Sequence, residues 1–552
     1  MTDASLGQRL PGASRRGERN ADPLRALRGA RRKHRLADIH WSDSLYRVYV
    51  LVVGVGMIVW WLASTLGTRH ISVASQGDVI RRGPAVVGLV VAALFAMAAR
   101  SGTRGGPLAV ESADLTHLLN APVDRRRILT RPLVHQLRRG LLVGAVAGAI
   151  AARLTMPFLP GRPVAWVGTG ALVGALVGVS WFGLAATVSG RRIGVVAANL
   201  VALAVIVWSI VDVSLDRVTS PLSFIGVVPL SPLHLGKIGT RAPVWVGAAV
   251  IATIAVVVVT SALRFVGGVS LERVERRAAL VGQLRFAVST QDLRAVLLLR
   301  RQLTSEHSRR VPWFRVKGRP GPSAAVVVRG VRSVARWPIG RGVRVLLCAV
   351  LAGFATRAAW EGAVPLVAVA GLLAFVAGLD AAEPLSQDAD HPDRLALLPR
   401  HRGRMANRQV IVPIVVLSLF GLVGAVAGVL GGPLLGGRSV AVGPALLAGA
   451  LVALIGAACG ALGASVSVAM GPPSLASMLT APELAFGRSM IAPALPIIGI
   501  AAPILWSRST AHAAKHASAA PGLVRGAVVG VLLCYAAVTY LTDGGVRDIN
   551  RV

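Results

Sequence analysis

Charged residues are scarce in this chain of 552 residues. They make up 15% of it, whereas a soluble protein usually carries about 25%. Apolar residues account for 54%, and the mean hydropathy is +0.65. The apolar residues gather in blocks near the length of a membrane crossing. This composition excludes a soluble enzyme and predicts a chain that lies mostly in lipid.

Cysteine is rarer still, and the usual catalytic motifs are missing. Cys348, Cys459 and Cys534 lie far apart in apolar blocks without histidine neighbours, which argues against a disulfide framework or a zinc site. We expect them to be small buried residues. No Walker A loop, GxSxG elbow, HExxH or CxxC pattern occurs,. We therefore expect no catalytic, cofactor-binding or metal-binding residues in this chain and no enzymatic activity of its own.

Twelve apolar segments have about the length of a transmembrane helix, which needs roughly 20 apolar residues to cross the hydrocarbon. The second, seventh and eleventh meet this length criterion least well. The twelve segments together predict an all-α polytopic membrane protein of about 12 transmembrane helices. The predicted crossings are residues 46–67, 84–99, 133–152, 163–188, 193–215, 243–266, 343–359, 363–381, 410–430, 440–469, 490–506 and 522–541.

Lysine and arginine outnumber aspartate and glutamate by 60 to 24. Most of these basic residues fall in segments on one side of the predicted membrane, and a basic excess marks the cytoplasmic side. We therefore expect a multi-pass protein of the bacterial inner (plasma) membrane with both termini in the cytoplasm. Arg69, Arg81 and Arg82 are the main objection, because this orientation places them outside.

The same positive charge restricts the choice of partners. No basic motif with interleaved aromatic residues accompanies it, so the pattern does not indicate nucleic-acid binding. Anionic lipid head groups at the inner leaflet are a sufficient partner, since each juxtamembrane lysine or arginine near them contributes ~1 kcal/mol. We expect contact with anionic lipid and no nucleic acid.

The two halves of the chain are similar at a fixed offset. An offset of 277 carries Leu133 to Val410 and Pro163 to Val440, so the third and fourth predicted spans meet the ninth and tenth. This favours two six-span repeats, as in many transporters. The alternative is that two halves rich in alanine, valine and glycine align through composition alone.

The predicted organisation follows from the spans and the repeat. It comprises a basic cytoplasmic head (1–45), a first six-span half (46–266), a basic cytoplasmic connector with amphipathic helices (267–342), a second six-span half (343–541) and a cytoplasmic tail (542–552). Within the connector, the stretch 312–323 is rich in proline, glycine and arginine and predicts a flexible linker. The proline-broken apolar stretch 224–235 predicts a re-entrant or interfacial segment on the outer side.

A motif precedes the third predicted span. An acidic lead-in, a leucine pair, a proline and a basic run follow one another as Glu111, Asp114, Leu118, Leu119, Pro122, Arg125, Arg126 and Arg127. This segment resembles the cytoplasmic segment between the second and third spans of ABC-2 type exporter permeases. The resemblance implies an amphipathic connecting helix that contacts a separate ABC-type ATPase subunit, and six spans for each permease half.

The motif recurs in part before the ninth predicted span. Leu395, Pro399, Arg402 and Arg404 stand at the same offset, after the acidic residues Glu383, Asp388, Asp390 and Asp393. Arg400 and His401 replace the Val-Asp pair of the first copy, so the two halves need not contact an ATPase alike. The stretch 289–303 also resembles part of an uncharacterised group of multi-span actinobacterial membrane proteins.

Two other classes remain open. A major facilitator-type secondary transporter also has 6+6 spans, but its D-R-x-G-R-R signature is matched only in part, at 124–127 and 402–404. Such a transporter usually has ionisable residues near mid-membrane, and here the most central polar residue is Asn199, which more often bonds neighbouring helices. A non-transporting membrane scaffold is the third class.

Charged residues near span ends and small residues within spans predict local structure. Arg153, Asp212, Arg264 and Asp380 are explained by snorkelling, and Arg357 is expected to pair with Glu361 four residues later. Glycines at four-residue spacing predict close helix packing in the fourth and tenth spans. These glycines are Gly170, Gly174, Gly178, Gly456 and Gly460.

Overall fold

The computed structural model divides the chain into two units, Met1–Leu62 and Ala63–Val552. In the first unit only scattered helical residues are described, so the basic head and the first predicted crossing lie almost entirely outside the description. The regular elements of the described residues are all helices. The described residues are 45, 49, 53–54, 56–57, 73–106, 108, 125–155, 162–232, 244–270, 272, 274–275, 283, 309–315, 324–390, 402–431, 441–470, 482–513 and 520–544.

The first half is built of long helices and one short one. Proline occupies the first turn of α3 and α5, where its fixed φ suits the helix and its missing N–H costs no bond. Ser220 caps α5, since its Oγ accepts a hydrogen bond from the Ser223 N–H at 3.0 Å. The elements are α1 (Val73–Thr103), α2 (Arg125–Thr155), α3 (Pro163–Gly190), α4 (Val195–Ser214), α5 (Pro221–Ile225), α6 (Val244–Phe265) and the 3-10 turn Val266–Gly268.

The second half is also built of long helices and shorter ones. Its elements are α7 (Ala325–Ala335), α8 (Ile339–Trp360), α9 (Leu366–Ala381), α10 (Glu383–Asp390), α11 (Arg402–Gly431), α12 (Val442–Met470), α13 (Pro482–Ala513) and α14 (Ala520–Thr539), followed by the π turn Tyr540–Gly544. Pro338, in extended backbone, precedes the first residue of α8, as expected of a residue that cannot continue a helix from the preceding segment.

Nine helices in the described part of the chain are long and apolar enough to cross a membrane. They coincide with nine predicted crossings: the second, the fourth to seventh and the ninth to twelfth. The described fold is therefore all-helical with nine candidate spans. These are Ile80–Thr103, Pro163–Gly190, Val195–Ser214, Val244–Gly268, Ile339–Trp360, Met405–Gly431, Val442–Met470, Met490–Thr510 and Ala520–Thr542.

The third and eighth predicted crossings are helices that fall short of this criterion, so the described residues do not reach the count of twelve. In α2, the uncharged stretch between Arg139 and Arg153 is too short. In α9, 16 residues give a length of about 24 Å, less than the ~30 Å of the hydrocarbon. Charged residues in α2 and the short length of α9 therefore distinguish these two helices from the nine candidate spans.

Each hydrophobic cluster of described residues belongs to one half of the chain. In the first half, Leu129 and Leu133 of α2 pack with Val266. In the second half, Val345 of α8 packs with Leu417 of α11. Between candidate membrane spans such contacts stabilise a fold through van der Waals packing rather than through removal from water, and each half has a core of its own.

Several helix contacts recur in the two halves. In the first, α1 packs on α3 and α4, α2 on α3, and α3 on α6. In the second, α9 packs on α12 and α13, α11 on α12, and α12 on α14. The second half also joins α12 to α13 and α13 to α14, whereas α5 lies against α1 and α6 in the first half.

Alternating helix directions define two sides of the bundle. On the connector side, α1, α3 and α6 end and α2 and α8 begin. Gly102 near the end of α1 lies against Val188 near the end of α3, and Gly190 lies against Phe265 at the end of α6. The loops joining α2 to α3 and α8 to α9 lie on the opposite side.

Parts of the predicted connector are ordered on the connector side. The amphipathic α7 packs on α11, where Gly330 lies against Val412. Residues 309–315 bind to the end of α7, since the Trp313 N–H donates to the Ala335 carbonyl at 2.7 Å. The prediction of a flexible linker is therefore wrong at Trp313, while residues 316–323 lie outside the described residues.

Candidate functional site

The connector-side part of α2 has one apolar face and one basic face. Ile128, Leu129, Leu133 and Leu137 are buried and pack with residues that follow α6. Three exposed arginines lie on the opposite face, because residues four and eleven positions apart share one side of a helix. They form a basic stripe, defined as Arg127, Arg131 and Arg138.

The basic stripe has no acidic partner among the described residues. By contrast, Arg126 beside it is used internally, since its Nε donates to the Leu263 carbonyl at 3.2 Å. The helix has 31 residues and a length of about 46 Å, well over the ~30 Å of hydrocarbon. The stripe is therefore a rigid cationic surface that extends beyond the apolar part of the helix and is available to an anionic partner.

The structure describes only the end of the first predicted docking segment. Arg125, Arg126 and Arg127 form the first turn of α2 and are exposed. The remaining predicted residues of this segment lie outside the described residues; these are Glu111, Asp114, Leu118, Leu119 and Pro122. Leu108, just before the segment, is fully buried in the cluster that also holds Leu129.

The acids before the second predicted segment are bound within the second half. Asp380, at the end of α9, accepts from Arg344 of α8, with 3.1 Å between its Oδ1 and Arg344 Nη2. Glu383 pairs with Arg341 of α8. Of the other acidic residues in this lead-in, Asp390 belongs to α10, and Asp393 lies outside the described residues.

Asp388 completes this network. Its Oδ1 lies 2.5 Å from Nη2 of Arg329 in α7, and its Oδ2 accepts from the Gln409 side chain in α11. Asp380 and Asp388 are buried, and a buried charge is tolerated only when it is paired and hydrogen-bonded. Asp388 therefore joins α7 to α11, Asp380 joins α9 to α8, and neither carboxylate is available to a partner.

The second docking segment is otherwise described only at its end. Arg402 and Arg404 lie in the first turn of α11, as Arg125 and Arg127 lie in the first turn of α2. Leu395 and Pro399 lie outside the described residues. The two halves thus share a helix start with arginines, but differ in how the nearby charges are used.

The predicted glycines of the fourth span meet a second glycine row. A Cβ added at Gly174 of α3 would lie 2.2 Å from the Gly144 carbonyl oxygen of α2, and one at Gly178 would lie 2.2 Å from that of Gly140. Gly170 lies against Gly148 in the same way. The backbones of α2 and α3 are therefore in direct contact, which only glycine permits.

The glycine row of α2 had a sequence signal that the predictions passed over, because Gly140, Gly144 and Gly148 also recur at four-residue spacing. In the tenth span, Gly456 faces the Ile500 side chain of α13, and Gly460 faces Ala374 of α9. The corresponding pair α11 and α12 is less close. The contact between α2 and α3 is thus not repeated in the second half.

On the opposite side, Asp216 pairs with Arg81 and Arg82, the two arginines that opposed the predicted orientation. Its Oδ1 accepts from Arg82 Nε at 2.6 Å, and its Oδ2 lies 3.3 Å from Arg81 Nε. The hydrogen bond from Arg82, together with the charge of Arg81, holds the pKa of Asp216 below its usual value,. Arg81 and Arg82 are therefore paired on this side.

Asp212, predicted to snorkel, is instead buried and collects four donors. It accepts from the N–H groups of Thr219 and Ser220 at 3.1 and 2.8 Å and from the hydroxyls of Thr219 and Ser223, the latter at 2.7 Å. Such bonds satisfy a carboxylate that would be costly to bury alone. Asp212 therefore fixes the loop from α4 to α5.

The predicted re-entrant segment is packed between helices. Ile225 and Val227 are fully buried. A Cβ at Gly226 would lie 2.1 Å from the Pro84 carbonyl oxygen of α1, and one at Gly247 of α6 would lie 2.2 Å from that of Phe224. The described part of the segment, up to Pro232, closes the opposite side between α1 and α6.

Two further sequence predictions have clear outcomes. Arg357 and Glu361 pair at 2.7 Å, as predicted. Asn199 lies near the start of α4 with an exposed side chain, so its predicted role in bonding a neighbouring helix is wrong for the described helices.

Within the described residues, no group of three or more histidine, cysteine, aspartate or glutamate side chains is arranged to hold a metal ion.

Comparison with known proteins identifies a family but no characterised relative. Neither the curated proteins nor the solved structures give a match. A family model described as "Family of unknown function (DUF6297)" matches residues 78–387, from α1 into α10. This match covers more than half of the 552 residues, and the chain therefore belongs to this family of unknown function.

Proposed function

We propose that the chain is the membrane-spanning permease subunit of an ATP-driven exporter, and that ATP is hydrolysed by a separate ABC-type ATPase subunit. In this proposal the protein lies in the bacterial inner membrane with the connector side and both termini in the cytoplasm. The observation that carries the proposal is the basic stripe of α2, whose three exposed arginines have no acidic partner among the described residues.

The location of the stripe supports a docking role. It begins at Arg127, the last residue of the segment that resembles the ATPase-contacting segment of ABC-2 type permeases. Its helix is held to the first half by buried apolar residues such as Leu133. A partner with acidic surface groups gains charge-assisted hydrogen bonds with arginine, and complementary charge also speeds encounter.

The close contact of α2 with α3 supports coupling to the membrane. Because the two backbones touch at Gly144 and Gly174, the pair moves as one body. A force on the stripe is then passed along α3 toward the opposite side. A partner shifts such an equilibrium only if it binds one conformation better than the other, so the ATP-bound and ATP-free states of the ATPase must contact the stripe differently.

The recurrent helix contacts support two fused permease halves and a complete count of twelve spans. The pairs α1–α3, α1–α4, α2–α3 and α3–α6 have counterparts in the second half at the offset of the sequence repeat. With α2 and α9 counted as short or tilted crossings, and with residues 46–67 as the first, each half has six. We infer that the ATPase binds chiefly to the first half, since acids near the second segment are bound internally.

Purification tests this function. A tagged chain is extracted in mild detergent from its native membrane, and bound proteins are identified by mass spectrometry. We expect a Walker A ATPase in stoichiometric amount, lost in the triple variant Arg127→Glu, Arg131→Glu, Arg138→Glu. The matched control reverses three exposed arginines on the opposite side and is expected to retain the ATPase; these are Arg162, Arg217 and Arg525.

The opposite result has a defined meaning. Recovery of the chain alone, from an extract that preserves a known ABC complex, contradicts the exporter proposal. It would favour a major facilitator-type secondary transporter or a non-transporting scaffold.

A further inference from the structure

Residues 309–315 form an ordered segment at the entrance of α8. The Arg309 N–H donates to the Arg336 carbonyl at 3.0 Å, and the Trp313 N–H donates to the Ala335 carbonyl at 2.7 Å. The indole Nε1–H of Trp313 donates to the Trp337 carbonyl at 3.0 Å. Three hydrogen bonds thus hold this segment against the residues that join α7 to α8.

The outer surface of the segment is apolar. Val311 is 66% exposed, Trp313 is 57% exposed and Phe314 is 49% exposed. The guanidinium carbon of Arg309 lies 3.7 Å from the centroid of the Trp313 ring, so one face of the indole is covered and a cation–π contact stabilises its orientation. The free parts of these side chains form a compact apolar patch on a fixed backbone.

The patch lies where α8 enters the membrane. Trp313 is bonded to residues 335 and 337, immediately before Ile339, the first residue of α8. Ile339, Val343 and Leu347 are exposed on this candidate span, and their four-residue spacing places them on one lipid-facing side. Tryptophan favours this interfacial depth because its ring is apolar and its N–H is polar.

The charges around the patch are basic. Arg310 and Arg315 flank it and are exposed, as are Arg332 and Arg336 on the adjoining end of α7. The nearby acids Glu383 and Asp388 already pair with Arg341 and Arg329. Apolar side chains between exposed arginines match a membrane surface with anionic head groups.

We propose that residues 309–315 form a lipid-binding hook that inserts Val311, Trp313 and Phe314 into the interface of the connector-side leaflet. Arg310 and Arg315 bind the phosphate groups of anionic phospholipids there. The hook fixes the depth and the orientation of the end of α7 and the start of α8. This role goes beyond the proposed exporter function and does not depend on it, because it requires no ATPase.

Quenching of tryptophan fluorescence tests the insertion. The full chain and its Trp313→Phe variant are placed in nanodiscs of phosphatidylcholine with about 30% phosphatidylglycerol, which supplies the anionic head groups, with and without bromine on the acyl chains. The difference in emission between the two proteins reports Trp313. We expect this difference to disappear in brominated nanodiscs. Trp166→Phe, at a buried residue, is the unquenched control, and Trp245→Phe, at an exposed residue of a candidate span, is the quenched control.

Lipid binding tests the head-group contact. Native mass spectrometry of the full chain with added phosphatidylglycerol is compared for the wild type and Arg310→Gln, Arg315→Gln. We expect about 30-fold weaker binding of the anionic lipid, which corresponds to the combined attraction of two basic residues to an anionic surface, and unchanged binding of phosphatidylcholine. The matched control replaces Arg217 and Arg525 with glutamine; both are exposed on the opposite side.

Either of two results would overturn the proposal. Emission of Trp313 that survives in brominated nanodiscs shows that the segment faces water or another protein. Equal binding of phosphatidylglycerol by the wild type and the double variant shows that Arg310 and Arg315 do not bind the head group. Thermal unfolding in detergent verifies that each variant is folded, so that neither result reflects a damaged protein.

Discussion

At the residue scale, Asp216 ties the loop after α4 to the start of α1. It adopts a left-handed conformation, with φ of 52°, which aspartate and asparagine tolerate better than most residues. From this position its carboxylate reaches both Arg81 and Arg82. Two arginines that opposed the predicted orientation of the spans are thereby paired with one acid that follows more than a hundred residues later, which lowers the net charge of the group.

We predict that Asp216→Asn lowers the thermal stability of the protein slightly at neutral pH, because it keeps the backbone preference and removes the charge. The pKa of Asp216 is lowered in the folded state, so its contribution is present above the ordinary aspartate pKa of about 3.9. It is lost as the pH falls through the lowered value. Melting curves of the wild type and variant should therefore converge in acid, and a constant difference down to that pH would contradict the ion pair.

Two cysteines that are 75 residues apart in sequence meet in the fold. Sγ of Cys459 in α12 lies 3.6 Å from Sγ of Cys534 in α14. All three cysteines were predicted to be small buried residues, whereas only Cys459 is buried and Cys348 and Cys534 are partly buried. Sequence separation gives no sign of the contact between Cys459 and Cys534. We predict that oxidation with copper–phenanthroline joins this pair and reduces the thiols that react with maleimide after denaturation from three to one, leaving Cys348.

Two variants serve as controls for that oxidation. Cys348→Ala should show complete loss of reactive thiols on oxidation. Cys534→Ala should retain both of its remaining thiols. Retention of three thiols in the oxidised wild type would contradict the packing of α12 on α14.

At the element scale, the positions of nine helices followed from apolar length alone, since a block of about 20 apolar residues is its own signal. The sequence did not reveal the packing of the segment after α4, whose burial depends on Pro84 and Gly247 in other helices. It also did not reveal that Asn199 is exposed among the described helices, because hydropathy does not tell which face of α4 is packed. The burial of that segment and the exposure of Asn199 both depend on which helices lie beside them.

The candidate site was likewise predictable only in part. The run Arg125 to Arg127 was recognised as basic, and the structure places it in the first turn of α2; the basic stripe depends on which face of α2 is buried. The internal use of the second acidic lead-in was hidden, because the arginine partners of Glu383 and Asp388 are 42 and 59 residues away in sequence. Contacts at that distance are not encoded in a local motif.

The backbone contact between α2 and α3 can be tested with two glycine substitutions in α3. We predict that Gly174→Ala destabilises the protein, because the new Cβ would lie 2.2 Å from the Gly144 carbonyl oxygen; such overpacking costs about 1–3 kcal/mol. Gly168→Ala in the same helix is the matched control, since its Cβ would have nothing within 4 Å. Alanine there should be neutral or stabilising by about 0.5–1 kcal/mol. Equal melting temperatures for the two variants would contradict the backbone contact.

At the scale of the whole molecule, each half of the described chain has its own hydrophobic clusters. The family match nevertheless runs from α1 through the connector into α10, so the family unit is larger than one half. The connector side carries the basic stripe, the paired acids of α10 and the lipid-binding hook, whereas the opposite side is closed by the segment after α4. The exposed cationic groups of the described residues thus concentrate on the side proposed to meet the ATPase.

Separate cores predict separate folding. We expect residues 324–552, produced without the first half, to form the same helices in detergent. Oxidation of Cys459 with Cys534 then serves as an internal reporter of native packing, with Cys534→Ala as its control. Failure of the fragment to form this disulfide, when the full chain forms it, would show that the second half needs the first.

The contact between the basic stripe and an ATPase is the central feature of the proposed exporter function. A photo-reactive benzoylphenylalanine at position 131 tests this contact in intact native membranes, with position 217 on the opposite side as the control. Irradiation is predicted to give an adduct of the chain with a Walker A ATPase from position 131 and none from position 217. Adducts with lipid alone, in membranes where a known ABC permease is cross-linked to its own ATPase, would contradict the exporter function.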